Sequence, residues 1–346
     1  MSSQDTPSNP SRRSFVKYVA AGVAIAAVAG AAGGYYEYLY LPSQKPKTVT
    51  LGSSSALTTD CCLTAAKQQG LFTANKLSPN YFPFTDLATA MNSFLSGQFE
   101  FHWDANIPAS ANARAKGVNV QGIVGSSVAT NAIIVKSDSP YQTISDLKGK
   151  TIGTFLLPSL STIVASELWN KNNPSSTIDP LKDFKFSSAA PPVLNQQLFS
   201  GQLDAIETIE PFVSSGIVGG ARVLSNAYSD WQTLSGGTMF GAVLGVQQDF
   251  ATNNVEITKE MVKTMIDAQN YVINNPSFFN NFVQTTYKFT DQNLIDTLRQ
   301  RAYAVLTPVA WNDSLISNLN QFLQLLQKYN IVTSAPSNLF TSAYVP

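Results

Sequence analysis

The phrase Ser96-Gly97-Gln98-Phe99-Glu100-Phe101 returns later in the chain as Ser200-Gly201-Gln202-Leu203-Asp204-Ala205. Each copy follows apolar residues at helical spacing: Met91, Phe94 and Leu95 before the first, Leu194, Leu198 and Phe199 before the second. The physical reading is a helix ended by a glycine, where only Gly takes φ > 0 without a Cβ penalty, then a short strand. One such unit is ordinary. Two in matching wording predict two similar α/β lobes, and two lobes make a cleft.

The rest of the chain fits that frame. At 346 residues it exceeds one average domain. Short β-rich runs alternate with helical patterns from Thr48 onward, the mark of βα units and largely parallel sheets. Strands are expected at Thr48–Gly52, Tyr81–Phe84, Phe99–Trp103 and Val118–Val124. Helices are expected from Asp86 to Leu95, with Thr85 as N-cap, and from about Pro108 to Lys116. A second set begins at Thr151–Thr154 and runs through a helix near Thr162–Asn170 and the strand Ala205–Thr208. Met239–Val246 reads as a strand returning to the first lobe. The expected division is an N-terminal segment over 1–46, lobe 1 over 47–135 plus 240–346, and lobe 2 over 136–239. Two crossings between lobes make a hinge.

Residues 1–46 read as an export address. Ser11-Arg12-Arg13-Ser14-Phe15-Val16-Lys17 precedes the weakly apolar, Ala/Gly-rich run from Tyr18 to Gly30, a pattern resembling a twin-arginine signal. The apolar run extends to Gly34 and nears bilayer length. Tyr35, Tyr36, Tyr38 and Tyr40 follow it like an interfacial belt. Retention as a membrane anchor and cleavage near Ala27-Val28-Ala29 both remain open; either way the folded part is expected to work outside the cytoplasmic membrane.

Composition narrows the function. The net charge is zero and charged residues are only 13%, so no basic field exists to hold nucleic acid. His102 is the only histidine, so a His-rich metal site is excluded. No Gly-x-Ser-x-Gly, Gly-x-Gly-x-x-Gly or phosphate-loop motif occurs. Neither a cofactor nor a metal is expected. Cys61 and Cys62 are the only cysteines, and adjacent ones bridge only by distorting the peptide between them. Two buried thiols are the simpler reading, and a strained bridge the alternative in an oxidising compartment.

Gly70-Leu71-Phe72, the first Ser-Gly-Gln phrase and Ala115-Lys116-Gly117-Val118-Asn119-Val120 resemble the first lobe of extracellular solute-binding proteins of ABC importers. Leu147-Lys148-Gly149-Lys150-Thr151-Ile152-Gly153, the second phrase and Glu210-Pro211 continue the resemblance. It covers roughly residues 48–344 and points to the branch handling sulfonates, taurine, nitrate and thiamine-precursor pyrimidines. The resemblance implies a two-lobed α/β fold of the periplasmic-binding-protein type II class, each lobe a mostly parallel sheet flanked by helices. It implies a non-enzymatic, monomeric protein that passes a small organic solute to a permease and its ATPase. Two alternatives stay open: a pyrimidine-synthase-like enzyme on the same fold, and a sensory binding module. Glu100 within the strand and Asp60-Cys61-Cys62 at the first helix depart from the family wording.

In open α/β sheets ligands bind beyond the carboxyl ends of strands. That rule gives Ser54, Ser55, Thr59, Phe84, Thr85, Asp104, Asn106, Ser127 and Asn131 from lobe 1. From lobe 2 it gives Ser159, Ser161, Thr162, Glu207 and Glu210, with Phe240 on the return strand. The set is rich in hydroxyls and acids and has no arginine. Asp104, Glu207 and Glu210 are expected to face the ligand, which favours an amine or amphoteric compound over inorganic nitrate or sulfate.

Overall fold

Helix-ending glycines stand where the repeated phrase places them. In the computed structural model, which describes residues 45–54, 56–157, 159–306 and 308–346, Gly97 has φ 80° and Gly201 φ 75°. Gly97 N–H donates to the Phe94 carbonyl at 2.9 Å and Gln98 N–H to that of Ser93 at 3.1 Å. Gly201 and Gln202 repeat this with Leu198 and Gln197, at 3.1 and 3.0 Å. These bonds absorb the orphan carbonyls of the last helical turn and turn the chain into a strand.

The first half runs Lys47–Ser53 (β1), Leu57–Gln68 (α1), Leu71–Ala74 (α2), Leu77–Pro83 (β2), Leu87–Leu95 (α3), Phe101–Asn106 (β3), Ile107–Ala115 (α4) and Val120–Val128 (β4). The chain then crosses to Ala132–Lys136 (β5), Thr151–Thr154 (β6), Leu160–Asn172 (α5), Lys185–Ser188 (β7), Pro191–Phe199 (α6), Ala205–Thr208 (β8), Phe212–Val218 (α7), Ala221–Asn226 (β9) and Ala227–Ser235 (α8). It returns through Phe240–Gln247 (β10) to the helices Gln248–Asn253 (α9), Val255–Asn274 (α10), Pro276–Thr286 (α11), Gln292–Leu306 (α12) and Asp313–Lys328 (α13).

Two mixed five-stranded sheets result, ordered β2-β1-β3-β10-β4 and β7-β6-β8-β5-β9. β10 is antiparallel to β3 and β4, and β5 is antiparallel to β8 and β9, while β1·β3, β6·β7 and β6·β8 are parallel. The reversed strand in each sheet is the one by which the chain enters. A chain crossing from the carboxyl ends of one sheet meets the carboxyl ends of the other, so its first strand there must run against the rest. The two crossings lie side by side: Ala129 N–H donates to the Met239 carbonyl at 2.8 Å, and Ala227 N–H to that of Asn131 at 3.0 Å. The sheet therefore changes at 129–131, ahead of the division at 135–136 expected from the sequence. The apolar run Ala132–Val135 is wholly buried, with Ile133 and Val135 in one core cluster and Ala132 and Ile134 in another on the opposite face.

Two other expectations are corrected. β3 starts at Phe101 and extends to Asn106, so Asp104 and Asn106 lie inside the strand rather than after it. Asp86, not Thr85, caps α3: its carboxylate accepts the Thr89 N–H at 2.7 Å and the Thr89 hydroxyl at 2.6 Å. A carboxylate also complements the positive end of the helix, which a threonine hydroxyl does not.

The acid in each repeated phrase acts as a sheet clamp. Glu100 accepts both the N–H and the hydroxyl of Thr50, just ahead of the β1·β3 ladder, and its own N–H returns to Thr50 Oγ1 at 2.8 Å. Asp204 accepts the Thr151 N–H at 2.9 Å and the Tyr141 hydroxyl at 2.8 Å. Glu100, a departure at the sequence level, thus performs the same task as its counterpart. The signal segment and anchor expected within 1–44, and Ser55, lie outside the described residues. Among those described, no helix is long and apolar enough to cross a membrane.

The two clamps sit in different sheets and share no partner. Glu100→Gln and Asp204→Asn should each lower the unfolding free energy by about 1–2 kcal/mol, and their effects should add in the double variant. Urea titrations of the four proteins check this; unchanged midpoints would show that the clamps contribute nothing.

Candidate functional site

The carboxyl ends of the central strands hold two buried acids. In lobe 1, Asp104 near the end of β3 reaches into the turn between β1 and α1. Its Oδ1 accepts the Ser54 N–H at 3.0 Å, and its Oδ2 takes the Ser54 hydroxyl and, at 3.3 Å, the Thr59 hydroxyl. His102 Nδ1 lies 3.1 Å from the same carboxylate, while the ring stands edge-on to Phe94 and Phe99 and its Nε2 is buried without a partner. In lobe 2, Glu207 near the end of β8 is 1% exposed and reaches the first turn of α5. Its Oε1 accepts the Ser161 N–H at 2.9 Å and the Asn131 amide at 3.3 Å; its Oε2 accepts the Thr154 hydroxyl at 2.9 Å.

Both acids were expected to face a ligand. Each instead faces inward, onto the N-terminal turn of a helix in its own lobe. For Glu207 the cause is electrostatic: the N-terminus of α5 offers free N–H donors and a positive dipole end, and the carboxylate takes the Ser161 N–H. Asp104 instead serves the Ser54 N–H and the hydroxyls of Ser54 and Thr59 around the start of α1.

Glu210 does point across the lobes. Its Oε1 pairs with Arg301 Nε on α12, and its Oε2 accepts the Ser214 hydroxyl at 2.8 Å and N–H at 3.2 Å. The Glu210 carboxylate is almost fully buried. Thr130, Asn226, Tyr228, Gln300 and Val305 join this pair around a cavity of about 250 Å³ beside the two crossings. Arg301 was missed because the strand-end rule does not reach a helix from the C-terminal third. The only signal was the cluster Arg299-Gln300-Arg301 on an otherwise core-facing helix.

The remaining expected residues divide. Ser159 caps α5, taking the Thr162 N–H at 3.2 Å and lying 2.5 Å from the Thr162 hydroxyl. Asn106 caps α4 through the Ala109 N–H at 2.9 Å. Ser127 is buried, 3.1 Å from the Thr58 hydroxyl, and Asn131 serves Glu207. Thr85 is exposed. Phe84 packs half-buried at 5.9 Å from the Phe99 ring. Phe240 is not brought to the cleft surface. It is buried against Trp311 at 5.7 Å and fills the space over Gly125, where an added Cβ would stand 1.9 Å from its ring. The hydroxyls of Ser161 and Thr208 are buried with no partner.

Cys61 and Cys62 are free and buried in α1. Burial pushes both thiols up, Cys61 further because Cys62 and Asp60 adjoin it, and Cys62 to about 12. Both therefore keep their protons at neutral pH and lack the lowered pKa of an activated nucleophile. Among the described residues no group of three His, Cys, Asp or Glu side chains is placed to hold a metal ion.

Two α/β lobes, each entered by a reversed strand and joined by paired crossings, define the periplasmic-binding-protein architecture. The NMT1/THI5-like family pattern matches residues 61–278, and the chain belongs to that family. Among solved structures it is similar to the alkanesulfonate-binding protein SsuA of Xanthomonas axonopodis pv. citri bound to MOPS, with TM-score 0.67 and 15% identity over 86% of this chain and 99% of that one. The periplasmic aliphatic sulphonate-binding protein SsuA of Escherichia coli gives TM-score 0.68 and 16% identity over 85% and 91%. The desulfurization enzyme DSZB is a more distant likeness, at TM-score 0.57 and 15% identity over 86% and 96%. Among curated protein sequences no relative matches.

The raised thiols make a pH prediction. In the unfolded chain each thiol ionises near pH 8.5, while in the fold it keeps its proton. The stabilisation is therefore whole below about pH 8.5 and is lost as pH rises toward the folded values. Stability should fall between about pH 8.5 and 10, and Cys61→Ala/Cys62→Ala should flatten that fall. Urea unfolding at a series of pH values measures it; equal slopes for both proteins would mean that the thiols ionise in the native state.

Proposed function

We propose that this chain is the extracytoplasmic solute-binding component of an ABC importer. It closes two lobes, divided at the crossings, on a small organic solute and presents it, as a monomer, to a permease and its ATPase. The observation that carries the reading is the Glu210–Arg301 pair, a buried charge contact made only when the two lobes are together. Paired crossings beside a cavity supply the hinge, and closure over a bound solute shifts the population toward the joined state. Family membership and the likeness to two sulfonate-binding proteins support the same class. DSZB establishes that the fold hosts enzymes too, but the protonated, buried thiols of this chain favour binding over thiol chemistry. Arg12-Arg13 and the apolar run behind it direct the folded protein across the cytoplasmic membrane, where the same run anchors it.

A solute that raises the melting temperature should be recovered chemically unchanged by mass spectrometry, and X-ray scattering should show the radius of gyration falling on binding. Conversion of the solute to a product would overturn the transport reading. Arg12→Lys/Arg13→Lys should leave the protein in the cytoplasm; normal export of that variant would remove the twin-arginine assignment.

A further inference from the structure

Two features of the cleft bear on which solute it takes. The first is the use each lobe makes of its own acid. Glu207 accepts the Ser161 N–H in the first turn of α5, whereas Asp104 holds the Ser54 N–H ahead of α1 and the hydroxyls of Ser54 and Thr59. Among the described residues neither carboxylate is paired with a lysine or arginine; Asp104 has His102, and Glu207 has only neutral donors. Asp60, in the first turn of α1, is a third acid, whose carboxyl burial pushes up while the Lys67 cation opposes that and Asp104 adds to it. Arg301, the arginine that reaches the region, is committed to Glu210.

The second is the surface beside Glu207. Leu156 and Leu157, in the loop between β6 and α5, are 51% and 58% exposed, and Thr154 Oγ1 lies within hydrogen-bond distance of both the Leu156 carbonyl and the Glu207 carboxylate. This loop follows the carboxyl end of β6. Adjacent large apolar side chains left in water there mark a surface that something apolar covers. The Ser161 hydroxyl, on the residue whose N–H Glu207 holds, is fully buried and unpartnered, able to donate or accept a hydrogen bond.

We infer that the cleft selects a non-anionic organic solute with an apolar body, because lobe 2 has set the Glu207 carboxylate where the N-terminus of α5 would otherwise receive an anion. An incoming sulfonate finds the Ser161 N–H already held by a carboxylate. An amide or amine finds a hydroxyl, leucines and an acid of the favourable sign. Glu207 is thus a specificity-determining residue that excludes anions without touching the accepted ligand's body.

The inference rests on the solute-binding reading above, and one calorimetric experiment on the full chain separates the two. The probes share one ring: phenylmethanesulfonate, phenylacetamide and benzylamine. The amide or the amine should bind at least about tenfold more tightly than the sulfonate, a gap that one unscreened charge contact readily supplies. Glu207→Gln, which keeps an acceptor for Ser161 N–H but removes the charge, should narrow that gap about tenfold by improving sulfonate binding. If Glu207→Gln does not fold, the wild-type ranking decides. Sulfonate binding as tight as the amide and amine overturns the inference and leaves solute binding standing. Failure of all three probes to bind folded protein overturns both.

Discussion

Four carboxylates pin the two strand pairs on which each sheet is built. Glu100, just before β3, and Asp104, within it, hold Thr50 and Ser54 on either side of the β1·β3 ladder. Asp204, just before β8, and Glu207, near its end, hold Thr151 and Thr154 at the two ends of β6. Parallel pairs have slanted, evenly spaced hydrogen bonds, and the N–H groups at their ends have no ladder partner. A carboxylate is the strongest acceptor available to them. Burying an acid costs several kcal/mol unless its oxygens are well satisfied, so these sites require their donors as much as the donors require them. The arrangement fixes where each strand ends, and hence where each cleft-facing loop begins.

From fixed strand ends follows the way the lobes meet. The crossing residues 129–131 and the segment through α8 are tied to one another by backbone hydrogen bonds. α13 then reaches over from the first lobe: Trp231 Nε1 on α8 donates to Asn318 Oδ1 at 3.0 Å, and Lys328 Nζ lies 2.6 Å from Glu167 on α5, whose carboxylate also takes the Tyr329 hydroxyl. Glu210–Arg301 closes another contact between the lobes. These contacts differ in kind. Trp231 is buried in the large core and moves with it, whereas Lys328 is more than half exposed and adds little by itself. Separation of the lobes would break Glu210–Arg301 and leave the Glu210 carboxylate with Ser214 and water as its partners.

The sequence made the frame legible because its signals are local. A glycine after an apolar-periodic helix needs only a few neighbouring residues to be read, and both copies proved to be αL helix ends. The serine at the start of α5 was equally readable as a cap. Thr85 was misread for want of one comparison: Asp86 offers a charge to the same helix end. Asp104 and Glu207 were placed at the right ends of the right strands, but their direction was not legible. Whether an acid turns outward to a ligand or inward to a helix depends on where the neighbouring helix begins in space. Arg301 meets Glu210 across ninety-one residues of chain, beyond the reach of any local pattern.

That inward turn also limits what fold likeness can say about the ligand. Structures with 15–16% identity share the two sheets and the crossings, which depend on backbone direction and buried volume. The sign of the charge that a cleft accepts depends instead on single side chains. One glutamate folded onto a helix N-terminus reverses the field there without moving a strand. The twice-written phrase shows how this division arises. It supplies a clamp acid at the same place in both lobes, and the residues beyond it are free to differ. Asp104 lies four residues after its clamp and Glu207 three after its own, and β3 carries one extra residue against β10 between His102 and Ala105, so each acid still reaches a helix start in its own lobe. Duplication thus preserved the frame, and the acids beyond the clamps set the chemistry.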